Sequence, residues 1–107
     1  MNTRKYSNLQ ESRVAKLAGA KKHPNSGATP FIKGDVSTNN ILIECKTTLT
    51  NKNSFAIKKE WLEKIKKESF AMNKPYFALA FNFGPKEENY FIINENFFKN
   101  IVLLMED

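Results

Sequence analysis

The spacing of apolar residues changes period along the chain, and each change marks an element. Residues 8–20 read as a first helix, with Ser7 as its N-cap and Gly19 near its end. The inward stripe of that helix is Val14, Ala15 and Ala18. Extended back one turn, it meets Glu11 rather than another apolar residue. Residues 21–30 (KKHPNSGATP) are rich in turn formers and have no period, which makes them a loop. Residues 31–36 and 41–48 read as two strands, and the polar tetrad Ser37-Thr38-Asn39-Asn40 suits a hairpin turn between them. A polar loop over 49–54 leads to a second helix over 56–73. There Ile57, Trp61, Leu62, Ile65, Ser69 and Met72 share one arc, with Lys59, Glu60, Glu63, Lys66 and Lys67 mostly opposite. Pro75 closes this helix. Residues 76–83 are nearly all apolar, as expected of a central strand. A turn at Gly84-Pro85, a short strand over 90–93 and a last helix over 94–105 complete the pattern. The order is α-β-β-α-β-β-α, with room for one more strand near 21–24. The expected fold class is α/β, a mixed central sheet flanked by helices.

Length and composition narrow this picture. A chain of 107 residues suits a single domain, 1–107, and its hydrophobic fraction of 41% supports an ordinary core. Apolar runs are too short to span a bilayer, and the first residues, MNTRKYSNLQESR, lack the apolar stretch of a secretory signal. Cys45 is the one cysteine and His23 the one histidine, which excludes an internal disulfide framework and argues against Cys- or His-built metal centres. Together these points predict a cytoplasmic protein without membrane attachment. Seventeen Lys and Arg against eleven Asp and Glu leave a net charge of +6. Such an excess attracts polyanions, because each neutralised phosphate releases a condensed counterion. Nucleic acid is therefore the first partner expected.

The strongest chemical signal is Gly34-Asp35-Val36 followed by Ile43-Glu44-Cys45-Lys46. Side chains alternate along a strand, so Glu44 and Lys46 share one face and Ile43 and Cys45 the other. Pairing of 31–36 with 41–48 carries Asp35 close to Glu44. Two converging carboxylates repel unless a cation separates them, and Mg²⁺ takes oxygen ligands of this kind. The Cys45 backbone carbonyl is a further oxygen, and Lys46 is placed to orient a water or stabilise phosphoryl charge. The bland alternative is a hairpin with charges on its wet face, and bare spacing does not exclude it. Against that reading, Glu44 ends the aliphatic run Ile41-Leu42-Ile43, and Glu11 offers a third acid. Glu11 alone is equally a helix N-terminal carboxylate favoured by the dipole.

Glu11, the Asn25-Ser26-Gly27-Ala28 loop, Gly34-Asp35-Val36, the run from Leu42 to Thr48, and Ile57-Lys58-Lys59-Glu60-Trp61-Leu62 occur in that order. In this the chain resembles the Holliday junction resolvases of the PD-(D/E)XK nuclease superfamily, particularly the short phage and archaeal type. The resemblance covers roughly residues 8–83. It implies a restriction-endonuclease-like core and a Mg²⁺ site, with Mn²⁺ as a substitute, made by Glu11, Asp35 and Glu44. It further implies Lys46 as catalytic lysine, Ser26 near the scissile phosphate, and a homodimer that holds a four-way DNA junction. Gly34 stands where the motif's name has proline.

The remaining candidates have two readings each. Ser26-Gly27 either presents a hydroxyl and amides to a phosphate or forms an ordinary turn. Lys58 falls within the apolar arc of its helix and either reaches an active-site phosphate or holds its head in water. Arg13, Lys21 and Lys22 are candidate DNA-backbone contacts or plain surface charge. Cys45 reads as core. Phe91, Phe97, Phe98, Ile101 and Leu104 read as core, with any surplus apolar surface available to a dimer. Two alternatives to a junction resolvase stay open. One is a nuclease of the same superfamily acting on linear or flap DNA. The other is a nucleic-acid-binding module that keeps the fold without catalysis.

Overall fold

A computed structural model describes residues 3–22 and 35–106. The elements are α1 (Thr3–Ala18), β1 (Lys21–Lys22), β2 (Val36–Ser37), β3 (Ile41–Lys46), α2 (Lys59–Ala71), β4 (Tyr76–Phe81), β5 (Tyr90–Ile92) and α3 (Glu95–Met105). The strands form one mixed sheet in the order β1-β2-β3-β4-β5. Only β3 and β4 run parallel, with Ile41 opposite Tyr76 and Lys46 opposite Phe81. The other neighbours are antiparallel. A parallel pair needs a crossover, and α2 supplies it. The chain is thus α/β with a five-stranded mixed sheet flanked by helices.

Strand alternation sorts the core onto two faces. Val14 of α1 packs with Val36, Ile43, Ala78 and Ala80 on one face. Ile65 of α2 packs with Leu42 and Phe77 on the other. Leu42, Leu79 and Ile65 are almost completely buried. The order of elements follows the hydrophobic pattern, including the strand near 21–24. The expected strand over 31–36 is described from Asp35 onward, and there β2 is Val36–Ser37.

Several boundaries differ from expectation. The first helix starts at Thr3, so Ser7 lies inside it and is not its cap. Nothing in Arg4-Lys5-Tyr6 breaks a helix, and a capping residue can also sit mid-helix. The helix stops at Gly19, whose φ of 61° suits glycine, and its last carbonyls are closed by Ala20 N–H to Ala15 (2.8 Å) and Gly19 N–H to Lys16 (3.4 Å). Ala18 lies exposed at this end rather than on the inward stripe. The second helix begins at Lys59 instead of 56. It closes the same way, with Lys74 N–H on Ser69 O (2.8 Å) and Asn73 at φ 57°.

The last helix gives the clearest correction. Asn94 caps it, its side chain accepting from Phe97 N–H at 3.0 Å, but no residue of α3 is buried. Phe91, Phe98 and Leu104 are exposed rather than core, while Phe97 and Ile101 are half-buried. β5 is the edge of the sheet, and no described layer lies outside α3 to cover it.

Candidate functional site

The end of β3 is where the charged residues gather, and a defect in the hairpin sets their geometry. The register pairs Val36 with Ile43 and Ser37 with Leu42. Yet Asp35 N–H also donates to the Ile43 carbonyl, at 3.0 Å. Two successive residues thus face one, which is a β-bulge, a device that re-aims a side chain. The re-aimed carboxylate of Asp35 accepts a hydrogen bond from Cys45 N–H at 2.8 Å. In an extended strand a residue's N–H and C=O turn toward the same neighbour, so the Cys45 carbonyl also faces Asp35. The hairpin is secured at its other end by Thr38 Oγ1, which accepts from Ile41 N–H at 2.9 Å, and by Lys74 Nζ, which donates to Thr38 O at 2.7 Å.

Glu44 and Lys46 follow Leu42 onto the α2 face. Lys46 Nζ lies 3.7 Å from Glu44 Oε2 and 4.5 Å over the ring of Trp61, so the ammonium is held between a carboxylate and an aromatic face. Lys58 reaches the same ring from 5.8 Å and is exposed at the N-cap position of α2. Trp61 continues into an aromatic stack through Phe55 (6.4 Å) to Phe81 (5.2 Å from Phe55). The sequence marks Trp61 only as part of a buried arc; its role as a seat for Lys46 needs the three-dimensional register.

The electrostatics tie both faces of the sheet together. Burial pushes Glu44 up to about 7, helped by the negative charge of Asp35 and opposed by Lys46 and Lys64. Glu11, half-buried on α1, is also pushed up to about 7, first by burial and then by Asp35, against Lys22 and Arg4. The Cys45 thiol is pushed up by burial first and then by Asp35, Glu11 and Glu44. Asp35 is the common neighbour in all three. Cys45 itself packs against the α1-side core, as its position predicts.

These acids share one field without forming a closed ligand set. Among the described residues, no group of three or more His, Cys, Asp or Glu side chains is arranged to hold a metal ion. A hard cation fits the chemistry of the donors, because two carboxylates held partly protonated beside Asp35 are stabilised by added positive charge. Asp35, Glu44 and the Cys45 carbonyl are the residues that would hold it, with Glu11 across the sheet edge.

Gln10 is a site residue that sequence reasoning misses. Its buried Nε2 donates to Lys46 O at 2.7 Å and Asn89 Oδ1 at 3.0 Å, with a longer contact to Ala80 O at 3.4 Å. One amide therefore pins α1 to the ends of β3 and β4, one residue before Glu11. Thr47 Oγ1 donates to Asn82 Oδ1 at 2.7 Å in the same polar cluster. The available signal is spacing, since Gln10 lies one turn before fully buried Val14.

The other sequence candidates are placed as follows. Arg13 Nη1 donates to the carbonyls of Lys86 (3.2 Å) and Glu87 (3.1 Å), which fixes the loop before β5. Lys22 Nζ donates to Ser12 Oγ at 3.4 Å and faces Glu11 electrostatically; Lys21 is exposed. Ser26 and its loop lie outside the described residues, as does His23. Searched against protein-family models, curated proteins and solved structures, the chain matches none.

Proposed function

We propose that the chain is a metal-dependent DNA endonuclease with a restriction-endonuclease-like core, a Holliday junction resolvase of the PD-(D/E)XK superfamily that hydrolyses phosphodiesters as a homodimer. One arrangement carries this reading. Asp35 is turned by a bulge onto Cys45 N–H beside Glu44, while Lys46 is held between Glu44 and Trp61. Mg²⁺, or Mn²⁺ in its place, supplies Lewis-acid polarisation and a lowered water pKa when bound. The chain's own residues do the rest. Asp35 and Glu44, with the Cys45 carbonyl, would hold that ion at the end of β3. Lys46 keeps its ammonium directed at the charge that gathers on the phosphoryl oxygens and orients the attacking water. Glu11 of α1 is the third acid proposed for the same ion. The net charge of +6 favours DNA as the polyanion, and Arg13, Lys21, Lys22, Lys58 and Ser26 are the proposed DNA contacts.

A second reading has its own observation. With no three-residue ligand group among the described residues, the same fold fits a module that binds DNA without cutting it. The deciding experiment incubates labelled four-way junction, flap and linear duplex with Mg²⁺, Ca²⁺ or EDTA. Symmetric nicking of the junction with Mg²⁺, lost in Glu44→Ala and Lys46→Ala, supports the resolvase. Equal cutting of linear duplex or flap moves the assignment to another nuclease of the superfamily. Binding without cleavage under every condition supports the module.

A further inference from the structure

The strand register lays a row of side chains across the α2 face of the sheet, beside the candidate site. Lys46 of β3 stands opposite Phe81 of β4, and Phe81 stands opposite Tyr90 of β5. Directly paired residues share a sheet face, so all three lie with Lys46 on the α2 side. Phe81 meets Tyr90 at 5.9 Å, Phe83 at 5.5 Å and Phe55 at 5.2 Å, and Phe55 meets Trp61 at 6.4 Å. Five rings thus make one continuous surface from near the start of α2 to the edge strand. None of them belongs to either buried core cluster. Phe55, Trp61, Phe81 and Phe83 are partly exposed, and Tyr90 is 47% exposed. Each such ring has about 150–250 Å² to bury, so a row left partly in water is surface suited to a partner.

Charge along the row says which partner. Lys46 Nζ lies 4.5 Å and Lys58 Nζ 5.8 Å from the Trp61 ring. Lys52 N–H donates to the Phe83 carbonyl at 2.7 Å, which brings a third, exposed lysine beside the rings. At the far end Glu88, and then Glu87, set negative charge beside the Tyr90 hydroxyl. Phosphates are therefore drawn to the lysines and kept off Tyr90, which leaves that ring for a base. We propose that the row from Trp61 to Tyr90 is a stacking platform for unpaired nucleotides of a DNA strand whose backbone passes Lys46. Every base has a π face, so such rings take unpaired bases of any sequence, with cations tracking the backbone. Sheets that display a few aromatic rings stack about two or three bases in this way. A duplex keeps its bases stacked on one another and gains only the lysines. This platform presupposes the DNA substrate proposed for the site and narrows it: the strand is single, or opened, beside the bond at Lys46.

Binding without metal separates base stacking from attraction of phosphates. The full chain is titrated in EDTA against fluorescein-labelled thymidine strands of about a dozen residues, read by anisotropy. The intact strand is expected to bind at least ~10-fold tighter than the same strand made abasic, which keeps the phosphates and removes the rings. Tyr90→Ala should weaken the intact strand roughly 5- to 30-fold and leave the abasic strand and a duplex unchanged. Tyr90→Phe keeps the ring and should bind as the parent does. Equal binding of intact and abasic strands overturns the platform. So does indifference to Tyr90→Ala, or a loss in Tyr90→Phe as large as in Tyr90→Ala. Cutting of junction, flap and duplex with Mg²⁺ is scored apart. Intact-strand preference without cutting refutes the nuclease reading alone, and cutting without that preference refutes the platform alone.

Discussion

Burial and the charge of Asp35 set the pH behaviour of Glu44 and Glu11. Both carboxyls have folded pKa values near 7, against an ordinary value of 4.5. Between those limits the folded state holds more protons than the unfolded one, so stability is fully present below pH 4.5 and falls as pH rises through 7. Thermal melts without divalent ions should therefore show a lower Tm at pH 8 than at pH 5. Glu44→Gln should flatten that slope and stabilise the metal-free protein at pH 8 by ~1–3 kcal/mol, while abolishing cleavage. A Tm that rises over this range would contradict the burial assigned to Glu44. Trp61 gives a second residue-scale prediction. Trp61→Leu keeps an apolar side chain but removes the π face under Lys46. It should lower kcat about tenfold with little change in KM, since Lys46 is asked to act on the reacting phosphate and not on ground-state binding.

At the scale of elements, the packing makes two unequal demands. Ile65 carries α2 onto Leu42 and Phe77, so Ile65→Ala should cost ~2–4 kcal/mol in denaturant unfolding. Gln10 joins α1 to the ends of β3 and β4 by a single amide, and Gln10→Leu strands the Lys46 carbonyl. The expected loss is ~1–3 kcal/mol, with a larger fall in cleavage because Glu11 is the next residue. How much of this could be read from sequence depends on the range of the cause. The continuous apolar run YFALAF gives β4 as a central strand, and side-chain alternation along ILIECK gives β3 its two faces, since both are local properties. The pairing of Glu44 with Lys46 follows directly from it. The bulge at Asp35 does not, because an extra residue in a ladder is defined only against its partner strand. Gln10 is hidden for a similar reason: its acceptors on β3 and β4 lie 36 and 70 residues away. The exposed face of α3 reads as core because an apolar period marks a surface suited to burial, while its exposure is set by the place of α3 beyond the edge strand β5.

The whole molecule is basic, with a net charge of +6. DNA binding should weaken as salt rises, with log K falling by about 0.9 for each phosphate neutralised per decade of salt. For a chain of +6, a slope between about −3 and −6 is expected from filter binding or fluorescence anisotropy. Chelation should divide the two activities, since EDTA removes cleavage and leaves that slope in place. Among the described residues no helix is long and apolar enough to cross a membrane.

The seat of Lys46 on Trp61 has an optical consequence. Trp61 is the chain's single tryptophan, so all indole emission comes from a ring in contact with the lysine assigned to the chemistry. Whatever draws that ammonium away, a phosphate oxygen for instance, alters the field on the excited indole. Emission wavelength and intensity then follow occupancy of the site in real time, without a label. Stopped-flow mixing with uncleavable DNA can thus time the arrival of the backbone at Lys46 separately from bond breakage, with Lys46→Met as the silent control.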